Sequence, residues 1–499
     1  MLSKYFLSEI IVGLAMGYRK YILITFTLLA IVFMSACSHH SSLQTFNNHY
    51  YGGDSKKAYT YAKSQASKDG DVLWNLQAGM SGFVLAENDT SALLEQGERL
   101  FSKYEGEGLM GGMFGNVGAV LVNENVKTYR GNIYEGVMFN YYKALNAMRM
   151  GDYALARVEF NRANDRQRRA KEYFRKDIQK AMAESNKEQR ENQQLKQIDK
   201  DRTSRSTDSI LESQYSNLSH FVIYDGFINP AVSYVSALFF MSEGDYPKAI
   251  DLYKESYGIT RSQVINQDLK VVNARQAGDN STYTWFIIED GRSASLEDVS
   301  IDLPAYIVSS RVLHAGVSIP QIKRGQASAN TYKAITHSEN LEFKAFEVGN
   351  LEGVLTNEFS QKLPFILTRA ITSSIVKAST QAALSNLGGE QLGMTGALIG
   401  SLVGAMYSVA TNSADIRIST ALPHRILALQ IPNKTLDFTL KADENTLYEV
   451  QFSCTKSEQK HKKIKKLITL CEKYDNIIYL RLKDKNPSYQ ILKGEVNEE

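Results

Sequence analysis

The pattern of apolar and polar positions divides the chain into a helical first half and a strand-rich second half. Helical spacing with almost no proline predicts an α-helical domain over 50–262. Short alternating segments such as Tyr283–Glu289, Ile426–Ile431 and Leu447–Phe452 predict strands with one buried and one solvated face. The chain is therefore predicted to have an α+β fold, with a β-sandwich-like domain over 263–499.

One motif recurs in the helical half. Tyr142–Ala163 and Tyr234–Tyr253 each place small and aromatic residues before a Gly-Asp-Tyr turn and an Ala-x-x-x-aromatic helix after it, and Gly53–Tyr59 is a weaker copy. This arrangement resembles the tetratricopeptide repeat, in which small residues let two antiparallel helices approach. The copies do not follow that repeat's period of about 34 residues. An interrupted repeat array is favoured over the alternative, a generic helical bundle.

Between Asp165 and Arg205 the chain is rich in charged residues and glutamine and has few apolar positions. The pattern predicts a charged helical extension over 165–205 that protrudes from the array and frays near Thr203–Thr207. A solvated helix face is the favoured interpretation. A partner-binding arm is the alternative.

A helical hairpin is predicted over 363–414, inside the β-rich region. Its second arm, 392–410, contains no charged residue and carries three glycines at four-residue intervals, which are Gly396, Gly400 and Gly404. This spacing lets helices pack backbone to backbone, both in membranes and in soluble cores. A buried or partner-facing helix, with oligomer contacts through these glycines, is favoured over a membrane-inserting one.

The N-terminal residues are typical of an export signal. Arg19 and Lys20 precede an uncharged apolar stretch, Tyr21–Met34, that is too short for a comfortable membrane span. The stretch ends in Met-Ser-Ala-Cys37, which resembles the bacterial lipobox. We expect 1–37 to be a lipoprotein signal peptide ending at a lipidated Cys37, with translation starting at Met1 or Met16; an unprocessed signal anchor is the alternative.

The residues after Cys37 predict the attachment of the protein to a membrane and its cellular location. The polar segment 38–49 is predicted to be a tether between the lipid and the folded body. Ser38 stands where an aspartate would retain an enterobacterial lipoprotein in the inner membrane, so outer-membrane localisation facing the periplasm is expected. In that oxidising compartment Cys454 and Cys471 either form one disulfide or are two separately buried thiols.

Bulk charge and motif searches exclude several classes of function. A net charge of +3 gives no reason to expect nucleic acid as a partner. Gly106–Gly111 has the letters of G-x-G-x-x-G but follows a helix, so a connector over 106–118 is preferred to a dinucleotide site. The eight histidines are scattered. We therefore expect no cofactor, no metal and no enzymatic activity, with a hydrolase whose residues meet only in space as a minor alternative.

Several strings carry a resemblance to a known family. They are Lys127–Glu135, Tyr142–Asn146, Gly151–Asn164, Gln167–Lys171 and Ala414–Arg417. They resemble an uncharacterised family of proteobacterial outer-membrane lipoproteins with tetratricopeptide-like repeats. The resemblance implies a lipoprotein linked to other small lipoproteins that act in envelope assembly or in activating peptidoglycan synthases. It supplies no catalytic residues.

Together these features favour a membrane-anchored scaffold for protein-protein interaction in cell-envelope assembly. Tyr129, Arg130, Tyr134 and Glu135 are the candidate partner-binding residues, with packing at a first helical turn as their alternative role. A membrane-inserting or secretion-channel component using helix 392–410 is the alternative function.

Overall fold

The computed structural model describes residues 38–69, 71–110, 128–191, 200–221, 224, 226–302, 316–375, 413–435, 437–454 and 466–494. The signal peptide with Cys37 lies outside these residues. The same is true of the predicted helix 392–410, with Gly396, Gly400 and Gly404, and of most of the connector 106–118.

The first half of the described chain is helical. The helices are α1 (Ser38–Tyr51), α2 (Ser55–Asp69), α3 (Val72–Leu85), α4 (Thr90–Glu107), α5 (Ile133–Arg149), α6 (Tyr153–Glu191), α7 (Lys200–Gln214), a 3-10 turn (Ser216–His220), α8 (Pro230–Ser242), α9 (Tyr246–Thr260) and α10 (Gln263–Gln276). A further helix, α11, covers 351–375 within the second half.

Consecutive helices pack as pairs joined by short turns. Helices α5 and α6 form one pair and α8 and α9 another, each joined at a predicted Gly-Asp-Tyr turn. Gly151 and Gly244 lie in these turns with φ of 75° and 79°, a left-handed conformation that favours glycine. The predicted helix-turn-helix units at both motifs are therefore confirmed.

Residues 38–49 do not form the predicted tether. They belong to α1, and Leu43, Phe46 and Tyr50 are at most 6% exposed. These residues recur at three- and four-residue intervals, which places them on one helix face. The Phe46 ring packs edge-on against Trp74 with centroids 6.1 Å apart. The tether prediction is wrong because three well-spaced apolar residues outweigh a polar average composition.

The charged extension is helical, as predicted, but it is more regular and more buried than expected. Helix α6 continues to Glu191, and Thr203–Thr207 lies within α7 instead of fraying. Phe174 is buried and packs near Phe227, with ring centroids 5.2 Å apart. The Tyr173 hydroxyl donates to the carbonyl of Glu105 at 2.9 Å. The part of α6 around Tyr173 and Phe174 therefore packs against neighbouring helices and loops and does not protrude into solvent.

The second half contains the strands. They are β1 (Tyr283–Asp290), β2 (Ser295–Asp302), β3 (Gly316–Lys323), β4 (Tyr332–Thr336), β5 (Glu342–Lys344), β6 (Phe346–Asn350), β7 (Arg425–Pro432), β8 (Phe438–Ala442), β9 (Asn445–Phe452), β10 (Leu467–Leu470), β11 (Asn476–Leu482) and β12 (Ser488–Lys493). Sheet 1 has the order β12-β11-β1-β7-β6, sheet 2 has the order β10-β9-β8-β4-β5, and β2 pairs with β3 alone. The α+β fold class is confirmed.

Two predicted boundaries were misplaced. The strand-rich part begins at Tyr283 and not at 263, because Gln263–Gln276 forms α10 with Val264, Ile265, Val271 and Val272 on its buried side. Helix α11 begins at 351, twelve residues before the predicted hairpin at 363.

Sheet 1 is the middle layer of the molecule. Trp285 and Ile287 of β1 face the helices and join their core, whereas Phe286 and Ile288 face sheet 2 and join a second core. Because successive strand residues point to opposite faces, both faces of β1 are covered. The predicted solvated face is therefore wrong for this strand. The helices and sheet 1 share one continuous core.

A membrane-spanning helix would need a long apolar run. Within the described ranges, no helix is long and apolar enough to cross a membrane.

Candidate binding groove

The four residues predicted as a partner-binding surface lie mostly in the interior. Tyr129, Tyr134 and Glu135 are 6%, 4% and 0% exposed. Arg130 is half-buried, donates to the Gly108 carbonyl at 2.8 Å and lies over the Tyr104 ring. A partner cannot reach the first three, so the surface prediction is wrong for them and the packing alternative fits their positions.

Glu135 is the centre of a buried hydrogen-bond network. Its carboxylate accepts from the Tyr129 hydroxyl at 2.5 Å, from the Asn132 backbone N–H at 2.8 Å and from the Ser419 backbone N–H at 2.7 Å. Burial raises the pKa of Glu135 to about 7. The network closes the N-terminus of α5 and ties it to the segment before β7, which is a structural role.

An open groove of about 1520 Å³ lies between the helix pairs and the end of the sheets. Five chain segments line it, and we call it the turn groove. They are the turns around Gly151–Tyr153 and Gly244–Tyr246, the loop 279–282, the loop 473–475 with the nearby cysteines, and the end of β12 at 491–494.

The helical wall of the groove is fastened to β12. The Tyr153 hydroxyl donates to the Leu492 carbonyl at 3.4 Å. The Lys493 ammonium bonds the Ser242 carbonyl at 2.8 Å and the Glu243 carboxylate at 2.7 Å, and it lies over the Tyr153 ring. Both Gly-Asp-Tyr turns therefore contact the same strand end, which fixes their separation.

The opposite wall is a short loop held in place by covalent and polar contacts. Cys454 and Cys471 are paired in a disulfide, one of the two alternatives that the sequence left open. The Asn433 side-chain amide donates to the Tyr474 carbonyl at 2.7 Å, and the Asn476 amide donates to it at 3.1 Å. The Tyr474 side chain is nevertheless 62% exposed. A fixed backbone thus presents an exposed aromatic ring at the groove.

An ion pair between Arg275 and Asp475 lies at the base of the loop 473–475. The Arg275 guanidinium makes two bonds of 2.7 Å to the Asp475 carboxylate, and the Tyr283 backbone N–H donates to the same carboxylate at 3.1 Å. Such bidentate pairs have a defined geometry. The pair connects the loop 473–475 to the start of β1.

The groove carries an excess of positive charge. Four cationic residues line it, Arg149, Arg275, Lys473 and Lys493, against two acidic ones, Asp279 and Asp475. Two of the cations are paired with carboxylates, Arg275 with Asp475 and Lys493 with Glu243. Lys473 is exposed and forms no ion pair within the described part of the chain. The Arg149 guanidinium donates to the Asn146 side-chain oxygen at 3.0 and 3.2 Å.

Among the described residues, one cluster of metal-ligand residue types lies at the groove: Cys454 and Cys471, which line it, and the neighbouring Glu472, with ligand atoms within 4.8 Å of one another. Thiolates bind metals, but these two sulfurs are bonded to each other. The donor set therefore does not fit a metal ion while the disulfide is intact.

One histidine lies beside a hydroxyl side chain on the outer face of sheet 2. His337 Nε2 is 3.0 Å from Thr439 Oγ1, and that hydroxyl donates to Glu449 at 2.8 Å. The side chains of His337 and Glu449 are 49% and 40% exposed. This triplet has the residue types of a nucleophile and base but lies on an open surface, away from the turn groove, whose lining contains no histidine among the described residues.

Comparison of the chain with protein-family models, with curated proteins and with solved structures finds no match. The resemblance to outer-membrane lipoproteins therefore stays a prediction from the quoted residues.

The sequence pointed to part of the groove and missed the rest. The Gly-Asp-Tyr motifs were recognised as repeat turns, but not as one wall of a site. Lys473 and Tyr474 were missed, because no local pattern around them indicates that their loop lines a groove.

Proposed function

We propose that this protein is a lipid-anchored scaffold on the periplasmic side of the bacterial outer membrane, and that it binds envelope proteins through the turn groove. The observation that carries the proposal is the groove itself: five segments, distant along the chain, are fixed around an open volume with an exposed aromatic ring at its edge. Exposed aromatic residues on fixed backbones are typical anchors in protein interfaces.

The finer architecture is part of the same proposal. Helix pairs that meet at glycine turns support a tetratricopeptide-like helical half, the usual role of which is to present a surface to a polypeptide. Sheets 1 and 2 share one apolar core between their facing sides, which supports a β-sandwich-like second half.

The anchor is proposed from the lipobox-like residues that end at Cys37. Leu43 is already packed in the core six residues later. Six helical residues rise by about 9 Å. A lipid on Cys37 would therefore hold the body close to the membrane surface, which raises its effective concentration toward neighbouring membrane proteins.

Anchoring is tested by replacing Cys37. The full chain and its Cys37→Ser variant are expressed in a bacterium fed with radiolabelled palmitate. We expect label in the outer-membrane fraction for the wild type and neither label nor outer-membrane attachment for the variant. Equal membrane attachment of both proteins would contradict lipid anchoring.

Binding through the groove is tested by photo-crosslinking in intact cells. A benzophenone amino acid is placed at Tyr474 or Asn280, both of which line the groove, and at Lys171, an exposed α6 residue away from it. We expect adducts with envelope proteins from the two groove positions and not from position 171, and we expect the Cys37→Ser background to reduce them. Absence of adducts, or equal adducts at all three positions, would refute the proposal.

A further inference from the structure

We infer that the outer face of sheet 2 carries a binding site for a zinc ion, with His337 and Glu449 as its protein ligands and Thr439 as the residue that positions Glu449. The site is separate from the turn groove, so the inference does not rest on the proposed function. Three observations support it: the sheet that fixes both ligands, the distance between the two ligand atoms, and the chemistry of the residue types.

Neighbouring strands of sheet 2 fix the two ligands. Thr439 in β8 lies directly opposite Glu449 in β9. His337 follows the end of β4, and its backbone N–H donates to the Asp437 carbonyl, just before β8, at 3.1 Å. Phe438 is buried in the core between the two sheets, so the next residue, Thr439, faces outward together with its partner Glu449. The backbone of the sheet therefore places both ligands on one face.

The distance between the ligand atoms matches a tetrahedral zinc site. His337 Nε2 lies 3.3 Å from a carboxylate oxygen of Glu449. Zinc binds imidazole nitrogen and carboxylate oxygen at about 2.0–2.2 Å, so two such ligands at a tetrahedral angle are roughly 3.3–3.5 Å apart. A zinc ion can therefore bind both atoms with little movement of either side chain, which keeps the entropic cost of binding low.

The carboxylate of Glu449 is not neutralised by a basic side chain. Among the described residues it forms no ion pair with a lysine or arginine, and its side-chain partners are His337 and Thr439. Asp437 adds a second carboxylate beside His337, and this carboxylate accepts from the Phe452 backbone N–H at 2.9 Å. The side chains of His337 and Glu449 are 49% and 40% exposed, so an ion can enter from solvent and bind water at its remaining positions.

The residue types favour zinc over the hard cations. Mg²⁺ and Ca²⁺ prefer ligand sets made of oxygen, whereas imidazole suits zinc and the neighbouring transition metals. Thr439 is a positioning residue, because its hydroxyl donates to the Glu449 carboxylate at 2.8 Å. Hydrogen bonds to metal ligands typically change metal affinity about 10- to 100-fold. The sequence contains no spacing signal for this site, since His337 and Glu449 lie more than a hundred positions apart.

The test is titration of the full lipidated chain in detergent micelles with Zn²⁺, followed by calorimetry near neutral pH. We expect zinc to bind, and His337→Ala and Glu449→Gln each to raise its dissociation constant about tenfold or more. The matched control is His49→Ala, which removes a histidine from α1 and should leave the affinity unchanged. Equal effects of His337→Ala and His49→Ala, or no effect of Glu449→Gln, would overturn the inference.

The role of the hydroxyl is tested at the same position. Thr439→Val should weaken zinc binding, and Thr439→Ser, which keeps the hydroxyl, should preserve it. Equal zinc affinity of the two variants would overturn the positioning role of Thr439. Urea unfolding of all variants without metal separates a lost ligand from a lost fold, and we expect little change because these side chains are exposed or half-buried.

A second source of zinc affinity is tested separately. His39 and His40 are adjacent in the sequence, next to Cys37, and histidine pairs can bind zinc. A variant carrying both His39→Ala and His40→Ala should still bind zinc at the sheet. Cobalt(II) titration adds a spectroscopic readout, because its visible absorption reports on the ligands, and we expect His337→Ala to remove the band that the wild type shows. Loss of the band and of zinc binding in the His39 and His40 variant, with both retained in His337→Ala, would overturn the inference.

Discussion

The carboxylate of Glu135 accepts a 2.7 Å hydrogen bond from the backbone N–H of Ser419, a residue 284 positions later in the chain. One carboxylate oxygen thus connects the start of α5 to the segment before β7. The other accepts hydrogen bonds from the Tyr129 hydroxyl and the Asn132 backbone N–H, which cap the N-terminus of α5. Since Glu135 is fully buried, every donor that it accepts from would lose its partner if the carboxylate were removed.

Glu135→Gln should destabilise the protein by about 1–3 kcal/mol, the usual cost of leaving a buried donor unpaired. The glutamine side chain has one oxygen only, so its N–H₂ group must face the backbone N–H of either Asn132 or Ser419. Urea denaturation measures the change in unfolding free energy.

The control is Glu172→Gln, which removes an exposed carboxylate paired with Lys176 on α6. Exposed pairs contribute about 0–1 kcal/mol, so this variant should differ little from the wild type. Similar losses in both variants would contradict a special role for the buried network.

The buried Asp268 predicts that the stability of the protein depends on pH. Its two oxygens accept from the Trp285 indole N–H and the Tyr234 hydroxyl, both at 2.8 Å, and burial raises its pKa to about 7. A carboxyl group with a raised pKa binds more protons folded than unfolded. Its contribution to stability is therefore complete below about pH 4 and is lost as the pH rises toward 7.

Asp268→Asn should remove this dependence. The asparagine oxygen can accept from Trp285, and its N–H₂ group can donate to the Tyr234 hydroxyl oxygen. The Tyr234 O–H then loses its acceptor, so the variant should be less stable, but this loss does not depend on pH because asparagine does not titrate. We expect the unfolding free energy of the variant minus that of the wild type to increase from pH 5 to pH 8. A difference that stays constant or decreases with pH would contradict the raised pKa.

Particular residues show how far the sequence could predict this structure. The strands Ile426–Ile431 and Leu447–Phe452 and the two Gly-Asp-Tyr turns were predicted because their signals are local. The burial of both faces of β1 was missed, although the unbroken apolar run Trp285–Ile288 is typical of a strand covered on both sides.

The groove could not be predicted in the same way. The groove is lined by three tyrosines from separate turns, Tyr153, Tyr246 and Tyr474. The last of them lies more than two hundred residues after the other two in the chain. Their meeting depends on how the helix pairs dock on sheet 1, which no local pattern encodes. The sequence favoured Tyr129 to Glu135 as a surface because charged and aromatic residues occur there together, and the structure uses these side chains inside instead.

The disulfide provides a third prediction. Cys454 and Cys471 close a loop whose unfolded chain would otherwise be unconstrained. A loop of about 15 residues corresponds to roughly 3 kcal/mol in the chain-entropy model. A variant carrying both Cys454→Ser and Cys471→Ser should lose stability of this order in urea denaturation. Adding a thiol reductant should lower the stability of the wild type and leave the double variant unchanged; a reductant effect on neither protein would contradict a stabilising bridge.

The final prediction concerns the contact between the helices and sheet 1. Gly349 in β6 lies so close to α8 that an added Cβ would be 2.7 Å from the Ala231 Cβ and 2.8 Å from its backbone nitrogen. Gly349→Ala should therefore force the helix away from the sheet and cost about 1–3 kcal/mol, as overpacking does. Gly258 on α9 is the matched control, because an added Cβ there meets nothing within 4 Å. Gly258→Ala should be neutral or stabilise the helix by up to about 1 kcal/mol. Thermal and urea unfolding of the two variants test the contact directly, and equal stability of both would show that β6 and α8 do not approach this closely in solution.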